Sequence, residues 1–324
     1  MKSKVKKTDN ISALKSLTDL TQLYLGFNKI EDISALQSLL NLTHLHLFQN
    51  KLTSYTVALP NLVEFELSGN PLQDKSGLQH SPKLKSLNLT ATETTDLRTI
   101  YHPQFGLKVL YLSSNSITEI SYLSNFVNLQ ILSLYCNEQL QNIGPLKFCT
   151  QLTELYIHST SIADIWPLQY MKNLQTLNMN NTKVVDLYPL QNLYQLLCIS
   201  AQNACIIDIS PLSKLTQLDY IYLNNNKINS VETLKHHENF SEYDFSDQEV
   251  PTADELKFYN KILSIHSSHK QIRKIQDKNR VSKFRESMTR QRECVNLKIN
   301  EQILAVNIKI EIWAQFIQNS NADQ

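Results

Sequence analysis

Glycine is scarce in this chain, with five in 324 residues, where average usage of about 7% would supply roughly four times as many. Folds that cradle phosphates in glycine-rich loops are not expected, and neither a GxGxxG nor a GxxxxGK[ST] run occurs. The five cysteines (Cys136, Cys149, Cys198, Cys205 and Cys294) are odd in number, and none are paired at metal-ligand spacing. No apolar run approaches the roughly 18 residues of a membrane-spanning helix. The basic start MKSKVKKTDN is followed by no apolar segment, so a secretory signal is not expected. G-x-S-x-G and H-E-x-x-H are absent too, and carboxylates are scattered singly. No enzyme activity and no cofactor are expected. The expectation is a folded, reduced protein of the cytoplasm, with the nucleus as the alternative.

Hydrophobic content is 42% and charged content 19%, and the net charge of +1 hides an uneven distribution. Residues 1–239 hold 18 Lys/Arg and 18 Asp/Glu, whereas 240–250 holds four acids and no base. Residues 251–324 hold 13 bases and 8 acids, a surplus of 5. The chain therefore divides into three regions: 1–239, an acidic cap or linker at 240–250, and a basic tail at 251–324.

Repetition dominates the first region. Alignment on Leu-x-x-Leu-x-Leu gives unit starts at Leu20, Leu42, Leu62, Leu84, Leu107, Leu129, Leu152, Leu174, Leu196 and Leu218, and a half unit (Ile11, Leu14, Leu17) precedes them. Successive starts are 20 to 23 residues apart, usually 22. Within each coil, alternation such as Leu23-Tyr24-Leu25 predicts a short strand with one buried face. Asn28 predicts a turn whose amide bonds unpaired backbone. Ile30, Ile33, Leu36 and Leu39 then recur every three residues, the period of a 3₁₀-like return. Several returns open with proline (Pro145, Pro167, Pro189, Pro211), whose missing N–H is not needed there. The slot of Asn28 is held later by Asn50, Asn70, Thr92, Asn115, Asn137, Thr160, Thr182, Ala204 and Asn226, with Ala204 the weak rung. No coil can bury its leucines alone, so the predicted fold is an α/β solenoid of about ten stacked coils. A parallel sheet of roughly 45–50 Å lines its concave side and short returns line the convex side.

The pattern LxxLxxLxLxxNxIxxIxxL, repeated over about 9–239, resembles the 22-residue leucine-rich-repeat subfamily, which includes the regulatory subunit of protein phosphatase 1 and the internalins. The resemblance implies a curved solenoid and a scaffold that binds protein, with a phosphatase-regulator-like adaptor as one form of it.

Residues flanking the inner leucines face the concavity. Tyr24, His44, His46, Phe48, Glu64, Glu66, Tyr111, Tyr135, Tyr156, His158, Tyr220 and Tyr222 are the candidate protein-binding residues on that face. Tyrosine-rich, lysine-poor surface is the composition of protein interfaces and fits phosphate poorly. His44 and His46 occupy the same slots as Glu64 and Glu66 one coil on. They read as ordinary exposed pairs, with pH-sensitive pairing or zinc as the sharper alternatives, and no metal site is expected.

After Leu234 the repeat stops, and Phe240, Tyr243 and Phe245 are expected to cover the last coil. Thr252 with Glu255 predicts a helix start. Ile299, Ile303, Val306, Ile310, Trp313 and Ile317 keep a heptad spacing, while Val306–Ile312 alternates as a strand would. The tail therefore reads as a mainly helical segment able to self-associate as a coiled coil. The alternative function is contact with nucleic acid or an acidic surface through its basic run, Lys270–Lys298.

Overall fold

The computed structural model describes residues 8–100, 106–234, 237, 242–245 and 248. Eleven three-residue strands form one parallel sheet in chain order. They are β1 (Gln22–Tyr24), β2 (His44–His46), β3 (Glu64–Glu66), β4 (Ser86–Asn88), β5 (Val109–Tyr111), β6 (Ile131–Ser133), β7 (Glu154–Tyr156), β8 (Thr176–Asn178), β9 (Cys198–Ser200), β10 (Tyr220–Tyr222) and β11 (Glu242–Asp244). The register aligns the repeat with itself: Leu23 sits against Leu45, Leu45 against Phe65, and Leu177 against Ile199. Equivalent inner residues thus stack in one continuous ladder, buried from Leu23 to Leu223.

The return segments are 3₁₀ helices, among them Ser12–Ser16, Ser34–Ser38, Ser121–Asn125, Gly144–Phe148, Trp166–Tyr170 and Tyr188–Leu190. Three residues per turn put Ile33, Leu36 and Leu39 on one edge, and all three are buried. A carboxylate or amide two residues ahead caps most of these helices: Asp32 accepts from the Ser34 N–H at 2.7 Å, Asp164 from the Trp166 N–H at 2.8 Å, and Asp186 from the Tyr188 N–H at 2.7 Å.

Between strand and return, the asparagine ladder does more than turn the chain. Asn50 donates to the carbonyls of Leu47 and, one coil back, Leu25, both at 2.9 Å, and accepts from the Ile30 N–H at 3.0 Å. Asn70, Asn115, Asn137 and Asn226 repeat this bridge. Threonine serves only its own coil, as Thr160 does by donating to Ile157 O at 2.7 Å. Ala204 is tolerated because its neighbours cover for it: Asn226 reaches back to Ala201 O and Thr182 holds Met179 O. The residue ahead of each rung adopts left-handed backbone in all ten coils, with φ from +52° at Ser114 to +66° at Gly69. Only one of those ten is glycine, so the low glycine count coexists with a run of left-handed turns.

Two features differ from the sequence-based expectation. The sheet continues beyond the boundary at 239: β11 pairs in register with β10, and Gln248 acts as an eleventh rung, donating to Leu223 O at 2.8 Å and accepting from the Ile228 N–H at 3.0 Å. Glutamine carries the same amide as asparagine but falls outside the repeat motif. The second coil, 20 residues long, has no 3₁₀ helix. Its fully buried Tyr55 packs edge-on against Phe65 at 4.7 Å. In the next coil Lys75 and Ser81 hold slots that apolar residues fill in most other described coils. Burial lowers the Lys75 pKa, and its Nζ donates to Leu72 O at 2.5 Å. The tail helix, the heptad seam and the basic run lie outside the described residues.

Candidate protein-binding face

None of the eleven strands contains a lysine or arginine. What they present instead is mainly aromatic, histidine, glutamate and small polar, with Val109 and Ile131 among them. At the first coils Tyr24 meets the His46 ring edge-on at 4.7 Å and donates its hydroxyl to Gln22 Oε1 at 3.1 Å. Phe48 packs edge-on against Phe27 at 4.9 Å. Gly26 makes that approach feasible, since a Cβ there would lie 2.4 Å from the Phe48 ring. Tyr24, His44, His46 and Phe48 are all partly exposed.

The His–Glu patch forms, but diagonally. In the sheet register His44 lies against Glu64 and His46 against Glu66, as the repeat spacing required. The contact made is His46 Nε2 to Glu64 Oε1 at 3.0 Å. His44 Nδ1 is 2.9 Å from the Thr43 hydroxyl. Glu66 turns to the next coil, accepting from the Ser68 N–H at 2.9 Å and from Asn88 Nδ2 at 2.6 Å. Burial raises the Glu66 pKa, and those bonds, together with His46, oppose the shift. Among the described residues no group of three or more His, Cys, Asp or Glu is placed to hold a metal ion.

Towards the middle of the sheet, Tyr156 donates to Glu154 Oε2 at 2.8 Å, and Tyr135 stacks on His158 with centroids 4.4 Å apart and planes 12° apart. Tyr111, Tyr135, Tyr156 and Tyr220 remain partly exposed. Two expected contact residues do not. Tyr222 retains 8% exposure and His158 only 5%. Both keep the expected slots, yet neighbouring side chains close over them. Spacing along one strand cannot report that lateral crowding. His158 is held neutral, since burial brings its pKa down to about 4. Its buried Nδ1 has no hydrogen-bond partner among the described residues. Beneath this surface lies a buried polar floor: the Ser113 and Ser133 hydroxyls are 2.7 Å apart, and Ser200 donates to Asn180 Oδ1 at 2.8 Å.

A second exposed feature was not anticipated from the sequence. Phe148, Trp166, Tyr170, Tyr188 and Tyr194 are each about half exposed on the return side, between 46% and 54%. They hold positions between core residues of the three-residue period, and that register was the available signal.

Stacked coils, a parallel strand face, 3₁₀ returns and an amide ladder define a leucine-rich-repeat solenoid. Comparison with known proteins agrees. A family model for leucine-rich repeats (two copies) matches residues 106–148. An uncharacterized leucine-rich repeat-containing protein of Schizosaccharomyces pombe is 39% identical over 83 residues, which is 25% of this chain but only 13% of that protein. Among solved structures, an internalin (inlF) of Listeria monocytogenes is similar at 29% identity and TM-score 0.70, covering 77% of this chain and 74% of that one. The ectodomain of the Arabidopsis thaliana receptor kinase GASSHO1/SCHENGEN3, solved in complex with CASPARIAN STRIP INTEGRITY FACTOR 2, shares the fold at 18% identity and TM-score 0.59, covering 74% of this chain and 35% of that one. Among the described residues no helix is long and apolar enough to cross a membrane.

Proposed function

We propose that this chain is a non-enzymatic scaffold that binds another protein along the strand face, through Tyr24, His44, His46, Phe48, Tyr111, Tyr135, Tyr156 and Tyr220, with Glu64 and Glu66 at its acidic end. One observation carries the reading: eleven consecutive strands offer aromatic, polar and acidic side chains and not one lysine or arginine. Such a face suits a protein segment held by buried aromatics and gives no purchase on phosphates. That the same fold carries a bound partner in the plant receptor supports the class of function. Tyr222 and His158 support the face from below rather than touching the partner.

The finer reading is an adaptor of the 22-residue repeat type, similar to the phosphatase 1 regulatory subunit, at work in the cytoplasm. The test uses the full chain with a photo-crosslinking side chain at Tyr111 or Tyr156, against one at Val127 on the opposite side. Crosslinks to one discrete protein from the tyrosine positions, removed by changing Tyr24, Tyr111 and Tyr220 together to alanine and insensitive to 0.5 M salt, are expected. Crosslinking from Val127 alone overturns the reading. Purified catalytic subunit of protein phosphatase 1 is the probe for the finer form.

A further inference from the structure

On the return side, two coils differ from their neighbours in the side chain placed two positions after the capping carboxylate. In three coils that carboxylate is used twice. Asp32 and Asp208 accept a backbone N–H with one oxygen and the Ser34 or Ser210 hydroxyl with the other, at 2.9 and 2.7 Å. Asp96 accepts the Arg98 N–H with one oxygen and the Arg98 guanidinium with the other, Nε lying 2.7 Å away. In the Asp164 and Asp186 coils the residue two positions on is Trp166 or Tyr188, which supplies only its N–H. The second oxygen of each carboxylate has no partner among the described residues. Beside these oxygens stand the two rings, 46% and 50% exposed, 5.7 Å apart and tilted by 47°.

We propose that Asp164, Trp166, Asp186 and Tyr188 form a docking strip for an arginine-bearing linear segment of a partner protein, independent of the strand face. A guanidinium is planar, stacks on aromatic faces and pairs with carboxylates through fixed donors, whereas an ammonium offers only a point charge. The chain itself supplies the precedent: the Asp96 carboxylate, in the same slot, holds a guanidinium. Aromatic–cation contact also occurs one coil back, where Lys147 Nζ lies 4.9 Å from the Phe148 ring centroid. Lys147 lies in the last turn of the helix Gly144–Phe148, and the helix Trp166–Tyr170 carries no base in its last turn.

The probe is fluorescein-labelled octa-arginine, titrated with the full chain by anisotropy, beside octa-lysine and octa-glutamate. Saturable binding of octa-arginine, tighter than octa-lysine, with none of octa-glutamate, is expected. Trp166→Ala with Tyr188→Ala weakens it about tenfold, the size of two exposed cation–π contacts. Asp164→Asn with Asp186→Asn weakens it about threefold and removes most of its salt dependence. All four side chains are outside the core, so thermal midpoints stay unchanged. Glu64→Gln with Glu66→Gln leaves the affinity as it was. Equal binding of octa-lysine, an unchanged affinity in the aromatic variant, or loss of binding in the Glu64/Glu66 variant overturns the proposal. The last of these would place the peptide on the strand face.

Discussion

Asn137 is fully buried between the coils that begin at Leu107 and Leu129, and its amide is the tie between them. It donates to Leu134 O at 2.8 Å and Leu112 O at 3.1 Å and accepts from the Ile117 N–H at 2.9 Å. Replacement by alanine does not cost all three bonds equally. Leu112 O keeps the Asn115 amide at 2.9 Å. Leu134 O loses its side-chain donor, because the rung above it is Thr160, whose hydroxyl serves Ile157 O. The Ile117 N–H loses its acceptor as well. Two buried backbone groups left unsatisfied, at about 1–3 kcal/mol each, give an expected loss of roughly 2–6 kcal/mol. Threonine at 137 should restore the Leu134 bond in the way Thr160 holds its own carbonyl, and so recover about half of that. The assay is urea unfolding monitored by far-UV circular dichroism, with several probes because stacked repeats need not unfold in one step. An alanine variant within about 0.5 kcal/mol of the parent, or a threonine variant no better than alanine, would refute the ladder account.

The converse change, Ala204→Asn, gives the Val184 N–H the acceptor that Oδ1 supplies in other coils, and should raise stability by about 1 kcal/mol in the same assay. Ala91 holds φ +53° with a Cβ and no polar side chain to compensate, so Ala91→Gly should stabilise by roughly 0.5–1 kcal/mol, read as a higher thermal midpoint. His158, neutral in the fold with a pKa of about 4, binds its proton more readily once unfolded. Stability should therefore fall as pH drops from about 6.5 to about 4, by up to roughly 3 kcal/mol for this group. The slope in that window should flatten in His158→Phe, which keeps the ring stacked on Tyr135; an unchanged slope would remove His158 as its source. Tyr111→Ala is expected to weaken partner binding by about tenfold or more while leaving the thermal midpoint near the parent value.

Legibility tracked the range of the forces involved. The leucine period, the strand positions and the 3₁₀ returns could be read directly, because each depends on residues within one coil. The parallel register of His44 with Glu64 and His46 with Glu66 was also legible, since identical coils can only stack in phase. Which carboxylate would meet which imidazole was not. Glu66 is drawn off by Ser68 and Asn88 in a competition among three coils, and the diagonal His46–Glu64 contact is what remains. Tyr222 and His158 keep the slots on the strand face that their spacing assigns, yet side chains from neighbouring coils cover them. Gln248 is illegible as a rung because it comes after strand β11, where the leucine pattern has already lapsed.

The amino-acid order by itself determined that this protein is a stack of coils with an aliphatic interior and a cation-free strand face, because burying a ladder of leucines leaves no other arrangement for a repeat this short. The tertiary structure decided which face residues stay open, how the amide ladder shares its bonds between coils, and where the return-side rings gather beside half-used carboxylates. Those outcomes are settled by contacts one full repeat apart, where side-chain size and hydrogen-bond competition act and periodicity has nothing to say.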